Sequence, residues 1–254
     1  MAIENIQINV ADLTHSVAFY RDFLGAVPVG DQTDDRARLD LVTATLELVR
    51  VTDPAASSWE GDDLQRGFRH IGFKVANLDE LAARLKAADV PFHLDPLEAE
   101  GGVRITFFYD PDGTLLELVE RDLQYNTVVD GALVDAERAL GVPERPRFDH
   151  VAVTVDDFEA TKAHYGSFDF AHHGTILQPH DDRGFEINYL KSGDTVLEIF
   201  TYDAQKRARE PQLDAAGYVA ARLTGASVGD HQVGAAVDGA VYADVDGFTY
   251  TVSA

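Results

Sequence analysis

Apolar and polar residues alternate over residues 4–10, which predicts a strand with one apolar face. Over residues 12–24 the apolar positions recur every third or fourth residue instead, as on one side of an amphipathic helix. Gly25 follows and can end that helix. Alternation returns over residues 37–42 and 45–51. This stretch therefore predicts a unit of one strand, one helix and further strands.

The same order of elements occurs a second and a third time. In each unit an alternating run precedes a helical pattern, and further alternating runs follow it. A turn leads into the last strand, at residues 110–113 (Asp-Pro-Asp-Gly) and at residues 192–194 (Ser-Gly-Asp). The predicted elements are strand 70–75, helix 78–88 and strands 92–94, 103–109 and 114–120 in the second unit, and strand 150–155, helix 158–165 and strands 174–177, 185–190 and 195–201 in the third.

A fourth unit is recognisable but incomplete. Residues 203–214, where its first strand should lie, are highly charged and contain a proline, which disfavours a central strand. The pattern predicts a helix near residues 215–223 and two strands, near 240–243 and 248–252. The turn between these strands (Asp-Val-Asp-Gly) repeats the turn of the second unit. We interpret the fourth unit as degenerate.

A connector separates the second unit from the third. It contains a short predicted helix, ended by Gly141 and followed by two prolines. We therefore predict two halves, residues 1–122 and residues 147–254, each with two units, and a connector over residues 123–146.

Two units carry the same pair of side chains that can bind a metal. His70 lies at the start of one predicted strand and Glu117 in the last strand of that unit, and His150 and Glu198 repeat this arrangement with nearly the same spacing. Imidazole and carboxylate are ligands that borderline divalent metals accept. By alternation Glu117 points away from the leucines beside it, so helices can cover the leucines on the other face. The fourth unit has Thr251 where the second has Glu117.

Composition narrows the classes of function. The net charge of −23 disfavours binding to nucleic acid or to an anionic membrane, because cations are needed to replace the counterions of phosphates. The absence of cysteine excludes disulfides, thiolate nucleophiles and cysteine-based zinc sites. No apolar run is long enough for a membrane span, and no signal peptide is evident. We expect a cytoplasmic protein, monomeric or homodimeric, that acts on a small molecule.

Three sets of motifs resemble one known family. They are residues 10–13 (Val-Ala-Asp-Leu) followed by Phe19-Tyr20, the turn 110–113 running into residues 116–118 (Leu-Glu-Leu), and residues 149–153 (Asp-His-Val-Ala-Val) followed by Tyr165. Together they resemble the vicinal oxygen chelate superfamily, which includes glyoxalase I, methylmalonyl-CoA epimerase, extradiol dioxygenases, and bleomycin and fosfomycin resistance proteins. The resemblance implies an α+β fold of four tandem βαβββ modules that form cupped mixed sheets.

The resemblance also implies where metal ligands lie, in the first and last strands of each module. The corresponding pairs are Asn5 and Glu47, His70 and Glu117, and His150 and Glu198. If the halves close independently, Asn5, Glu47, His70 and Glu117 form one site. If the second and third modules share a cup, the site is His70, Glu117, His150 and Glu198. We favour the second pairing, because it explains why two modules keep complete pairs.

The implied function is enzymatic. A divalent metal (zinc, nickel, cobalt, manganese or iron) would stabilise an enolate or enediolate of a hydroxy-carbonyl substrate, with Glu117 or Glu198 as the base. This chemistry corresponds to an isomerase, an epimerase or a lyase. One alternative is an extradiol dioxygenase that uses two histidines and one carboxylate. Another is a resistance-type protein that binds a small molecule without catalysis.

Overall fold

The computed structural model describes residues 3–225 and 230–253. In the first three modules its elements follow the repeated order predicted from the sequence. The first module contains β1 (Ile3–Val10), α1 (Leu13–Leu24), β2 (Val27–Pro28), β3 (Arg36–Asp40) and β4 (Thr45–Arg50). The second module contains β5 (Gly67–Val75), α2 (Leu78–Ala87), β6 (Phe92–Glu98), β7 (Arg104–Tyr109) and β8 (Leu115–Glu120).

The connector and the second half follow. The connector contains β9 (Thr127–Val128) and α3 (Gly131–Ala139). The third module contains β10 (Arg147–Thr154), α4 (Phe158–Gly166), β11 (Ala171–Leu177), β12 (Glu186–Ser192) and β13 (Thr195–Thr201). The fourth contains β14 (Gly217–Thr224), β15 (His231–Ala236), β16 (Gly239–Ala243) and β17 (Thr249–Ser253), with no helix among its described residues. The α+β class is confirmed.

The modules combine into two mixed sheets. The nine-stranded sheet has the order β6-β7-β8-β5-β10-β13-β12-β11-β9, and the eight-stranded sheet has the order β15-β16-β17-β14-β1-β4-β3-β2. The second and third modules therefore share one sheet, and the first and fourth share the other, as in the pairing we favoured. In each sheet the first strands of two modules are antiparallel neighbours, and each is parallel to the last strand of its own module.

Helices pack against the apolar faces of the sheets and have clear sequence signals. Asp12, Asn77 and Asp157 accept hydrogen bonds from backbone N–H groups at the starts of α1, α2 and α4. Gly25 ends α1 in a left-handed conformation with φ 61°. Apolar side chains of these helices, such as Tyr20 and Leu85, belong to one buried core with the strands. That packing leaves the opposite face of each sheet free for polar residues.

Matching tyrosine–aspartate pairs tie together the two modules within each half, which belong to different sheets. The Tyr20 hydroxyl on α1 donates to Asp110 Oδ2 in the second module at 2.7 Å, and the Tyr165 hydroxyl on α4 donates to Asp244 Oδ2 in the fourth at 2.6 Å. Burial raises the pKa of Asp110 and of Asp244 to about 6, although each accepts the tyrosine hydrogen bond. The repeated Asp-x-Asp-Gly turns thus bind helices of neighbouring modules.

The helix predicted near residues 215–223 is wrong. This segment forms β14, which hydrogen bonds to β1 on one side and to β17 on the other. Val219, Ala220, Ala221 and Leu223 are all buried, so both faces of the strand carry buried apolar residues and its sequence lacks the alternation of a half-exposed strand. The fourth module therefore has its first strand after the charged segment and not within it.

The predicted halves, residues 1–122 and residues 147–254, and the connector at 123–146 stay a prediction. Each sheet takes one module from either side of this connector. The connector helix predicted from the sequence is present as α3.

Candidate metal centre

Four side chains from four strands meet on one face of the nine-stranded sheet. His70 lies on β5, Glu117 on β8, His150 on β10 and Glu198 on β13. Glu117 is paired with Gly72, two residues after His70, and Glu198 is paired with Ala152, two residues after His150. This register directs all four side chains to the same face, because side chains two residues apart share a face. We call this face the His/Glu cup.

The side-chain atoms lie within contact distance of one another. His70 Nε2 is 3.1 Å from His150 Nε2, 3.1 Å from Glu117 Oε2 and 3.2 Å from Glu198 Oε2. His150 Nε2 is 3.0 Å from Glu117 Oε2 and 3.3 Å from Glu198 Oε2. All four atoms lie within 4.8 Å of one another. All four residues are buried.

These residues fit a divalent metal. Metal–nitrogen and metal–oxygen bonds of roughly 2.0–2.2 Å place neighbouring ligand atoms about 3 Å apart, close to the spacings in this cluster. Two buried carboxylates next to two imidazoles are costly without a shared cation. Glu198 Oε2 is buried and has no hydrogen-bond partner among the described residues, and it faces the two imidazoles. A cation among the four atoms would satisfy that oxygen.

Neighbouring groups orient the ligand atoms. Asp149 Oδ2 lies 3.1 Å from His150 Nδ1, so His150 can present Nε2 to a metal. The Tyr189 hydroxyl donates to Glu198 Oε1 at 2.9 Å. Burial lowers the pKa of His150, but the charge of Glu198 and the hydrogen bond with Asp149 raise it well above the usual value.

Space for the histidine rings comes from small residues. A Cβ atom on Gly72 would lie 2.0 Å from His150 Cε1, which is too close for any side chain. Ala152 occupies the corresponding position in the third module. Small residues two positions after each histidine therefore leave room at the centre of the His/Glu cup.

A cavity of about 460 Å³ opens from the four side chains. About half of its lining residues are apolar or aromatic, and the others are charged or polar. The residues that line its apolar part include Leu94, Leu97, Val103, Ile105, Phe107, Phe185 and Phe200. A cavity of this size with a polar end can enclose a small molecule.

The alternative site predicted from the sequence is not formed. Asn5 and Glu47 lie on the eight-stranded sheet, apart from His70 and Glu117 on the other. Glu47 forms ion pairs with Arg36 and Arg38, and Asn5 donates to Asp238 Oδ2 at 2.9 Å. In the part of the chain that the structure describes, the only cluster suited to a metal is His70, Glu117, His150 and Glu198.

Sequence reasoning missed the supporting residues. Asp149 directly precedes His150, so an acidic neighbour could have been proposed as its hydrogen-bond partner. Tyr189 lies on a different strand from Glu198, and only the register of β12 with β13 pairs the two residues. The first signal is local, whereas the second depends on strand pairing.

Comparison with known proteins agrees with this architecture. The model of the Glyoxalase/Bleomycin resistance protein/Dioxygenase superfamily matches residues 2–118. The uncharacterized protein YwkD of Bacillus subtilis is 33% identical over 47% of this chain and 97% of its own length. The fosfomycin resistance protein FosX of Listeria monocytogenes is 30% identical over 46% of this chain and 86% of its own length. The chain belongs to this superfamily, and the resemblance inferred from its motifs is confirmed.

Two further matches concern named enzymes. Lactoylglutathione lyase of Salmonella typhimurium is 27% identical over 47% of this chain and 93% of that protein. The crystal structure of glyoxalase I from Zea mays matches with a TM-score of 0.66 and 19% identity, over 99% of this chain and 91% of that one. The maize structure therefore shows a shared fold across the whole chain.

Among the described residues, no helix has the length and apolar character needed to cross a membrane.

Proposed function

We propose that the protein is a divalent-metal-dependent isomerase, epimerase or lyase that acts on a small hydroxy-carbonyl substrate. The main support is a single observation. Four buried nitrogen and oxygen atoms, spaced for one metal, lie at one end of a cavity that has both apolar and charged walls. The relationship to lactoylglutathione lyase supports chemistry of the same general kind.

The proposed metal ligands are His70, Glu117, His150 and Glu198. When bound, a divalent metal would act as a Lewis acid that stabilises negative charge on two adjacent substrate oxygens, as in an enolate or enediolate. Zinc, nickel, cobalt, manganese and iron all accept nitrogen and oxygen ligands of this kind.

Glu117 is our choice for the base that removes a proton from carbon, with Glu198 as the alternative. Tyr189 holds Glu198 through its second carboxylate oxygen. Among the described residues, the groups within hydrogen-bond distance of the Glu117 carboxylate are the two histidines. Glu117 is therefore freer to swing toward a substrate and accept its proton.

The cavity supports removal of a substrate proton by a glutamate in two ways. Its apolar side chains would displace water around a bound substrate, which strengthens electrostatic interactions with the developing negative charge. The same side chains hold a substrate against the polar end, so that the carbon acid lies beside a carboxylate. Residues such as Phe107, whose ring meets His70 edge-on, also restrict the imidazole.

The test combines metal analysis with hydrogen exchange. Protein purified without added ions should contain one divalent metal per chain by mass spectrometry. In D₂O it should catalyse exchange of the C–H hydrogen next to the carbonyl in at least one member of a panel of hydroxy-ketones, hydroxy-aldehydes and glyoxal hemithioacetals. His70→Ala should lose the metal and the exchange, because it removes a ligand.

Asn5→Ala is the matched control, since Asn5 is the equivalent residue of the first module and lies on the other sheet. It should keep both metal and exchange. Equal metal content in His70→Ala and the parent protein would contradict the proposed site. Ligand binding that survives complete chelation would instead favour a resistance-type binding protein, and oxygen consumption with a catechol would favour a dioxygenase.

We also propose that only the cup shared by the second and third modules is catalytic. The connector at residues 123–146 would then join two halves, 1–122 and 147–254, that each contribute one module to the active cup. The ion pairs around Glu47 in the other cup support this division of roles.

A further inference from the structure

The residues that precede the two histidines occupy equivalent positions and have opposite charges. They are Arg69 before His70 and Asp149 before His150. The register of β5 with β10 shifts twice, between Phe148 and His150 and between Ala152 and Val153. Asp149 is the extra residue at the first shift, and Arg69 is the extra residue at the second. These irregularities let both charged side chains line the same cavity as the histidines.

The charged side chains of Asp149 and Arg69 have different roles. Asp149 contacts His150 Nδ1 and so positions that ring. Arg69 is a cation and cannot accept the N–H of an imidazole, and His70 Nδ1 is buried with no hydrogen-bond partner among the described residues. Arg69 therefore does not hydrogen bond to His70 as Asp149 does to His150, although it borders the cavity beside it.

Arg69 has buried hydrogen-bond donors that the described protein groups do not use. The residue is 4% exposed. Its Nη2 donates to Asp63 Oδ1 at 2.5 Å, but its Nε and Nη1 are buried and have no hydrogen-bond partner among the described residues. Asp63 is also shared with Arg183 Nη2 at 3.2 Å, so this carboxylate does not neutralise Arg69 alone. A buried guanidinium with unused N–H groups is unfavourable unless an acceptor binds there.

We propose that Arg69 binds a carboxylate group of the substrate. This inference rests on the proposed function, because the rest of the substrate would meet the metal ligands at the same end of the cavity. The unused Nε–H and Nη1–H lie on different edges of the guanidinium, and Nη2, which carries a second hydrogen besides the one donated to Asp63, belongs to both edges. The two oxygens of a carboxylate can therefore accept from one unused N–H and from this second Nη2 hydrogen. The substrate would thus be a small hydroxy or oxo acid, and Arg69 would select it over uncharged analogues.

A single negative charge suits this position better than a double one. Among the described residues, six carboxylates border the cavity, those of Asp63, Glu98, Glu100, Glu117, Asp149 and Glu198. The described lining has one cation besides Arg69, Lys74, and its ammonium is engaged by the Arg121 carbonyl and by Asp122. A dianion such as phosphate would therefore meet more repulsion than a carboxylate. The overall charge of −23 likewise gives no general attraction for anions, so recognition must come from a local cation.

The test measures binding without catalysis. Hydroxamates chelate divalent metals through two oxygens and report binding through the visible spectrum of the cobalt-loaded protein. Three probes differ only in their far end: acetohydroxamate is neutral, malonic monohydroxamate carries a carboxylate and phosphonoacetohydroxamate carries a phosphonate. The protein should bind the carboxylate probe about tenfold or more tightly than the neutral probe. Arg69→Met should lose this preference and still bind acetohydroxamate, which also reports that it folds and holds cobalt.

Two further variants control for charge and position. Arg69→Lys should keep part of the preference, because it keeps the charge without the paired donors. Arg50→Met removes an exposed arginine that pairs with Asp35 outside the cavity, and it should keep the full preference. A preference that persists in Arg69→Met would overturn the inference, as would tighter binding of the phosphonate probe than of the carboxylate probe.

The outcomes separate this inference from the proposed function. If the parent protein binds cobalt and acetohydroxamate but shows no preference for the carboxylate probe, the role of Arg69 is wrong and the metal site stands. If the parent protein binds neither cobalt nor acetohydroxamate, the proposed function fails and the inference fails with it.

Discussion

The two sheets are built alike, but their central residues differ. The His/Glu cup has His70, Glu117, His150 and Glu198 at the four central positions. We call the corresponding face of the eight-stranded sheet the Asn/Arg cup. By strand register its four central residues are Asn5, Glu47, Ala220 and Thr251. Only Glu47 keeps a side chain that readily binds a metal.

The residues two positions further along decide how much space each cup has. In the His/Glu cup these are Gly72 and Ala152, paired with the two glutamates. In the Asn/Arg cup the corresponding residues are Gln7 and Arg222, paired with Glu47 and Thr251. Larger polar side chains therefore enter the space that the histidine rings and a metal need in the first cup.

Protein groups supply the counter-charges in the Asn/Arg cup. Glu47 is bound by Arg36 and Arg38, while Asp238, from the turn between β15 and β16, meets Asn5 and Arg222. A buried carboxylate needs a cation, and here arginines provide it. The comparison teaches that one fold can support a candidate metal site or an internal ion-pair network, depending on a few residues at equivalent strand positions.

The largest expected effect is loss of the bound metal, caused by placing a residue of the Asn/Arg cup at the equivalent position of the His/Glu cup. Gly72→Gln copies Gln7, and its side chain would collide with the His150 ring. Metal content should fall from one per chain to near zero, as measured by mass spectrometry. The reverse change, Gln7→Gly, should leave the metal content unchanged. Retention of the metal by a folded Gly72→Gln protein, checked by circular dichroism, would refute the spatial argument.

The next largest effect, on the rate of hydrogen exchange, distinguishes the role of Glu117 from that of Glu198. Glu117→Gln should slow hydrogen exchange from carbon by about 10²–10⁴-fold, because it removes the proposed base while its amide oxygen can still face the metal. Glu198→Gln should mainly weaken metal binding. The measurement is the exchange rate per bound metal, with metal affinity obtained by competition with a chelator. Equal losses of exchange per bound metal would mean that the base is not Glu117 alone.

The smallest expected effect is on the free energy of unfolding. It comes from a feature that both sheets share, the buried aspartates Asp110 and Asp244 of the turns. The pKa of Asp110 is about 6 in the folded protein, whereas an unfolded aspartate titrates near about 3.9. The folded state therefore holds an extra proton between these values, so the free energy of unfolding should decrease as pH rises from about 4 to 6. The contribution is at most about 3 kcal/mol for each group.

Asp110→Asn should remove part of this pH dependence, since asparagine does not titrate. Denaturant unfolding at several pH values across this window measures it. Asp244→Asn is the matched variant in the fourth module, where the pKa is also about 6. Asp35→Asn, at an exposed position, should change the slope little. An unchanged slope in both Asp110→Asn and Asp244→Asn would show that other groups dominate.

Local patterns in the sequence were sufficient for most elements and for the composition of the candidate site. Alternation, helix spacing and capping residues predicted the four described helices and most strands, because these signals depend on neighbouring residues. The repeated histidine and glutamate also marked the four residues that the structure brings together. The helix predicted near residues 215–223 failed because burial on both faces of β14 removes the alternating pattern.

The tertiary structure decided which modules pair and what surrounds the four residues. His70 and His150 are 80 residues apart in the chain, yet their Nε2 atoms lie 3.1 Å apart because β5 pairs with β10. The ion pairs around Glu47 and the unused donors of Arg69 likewise depend on strand register and on irregularities within it. Such pairings are set by hydrogen bonds and packing between distant segments, which no local pattern specifies.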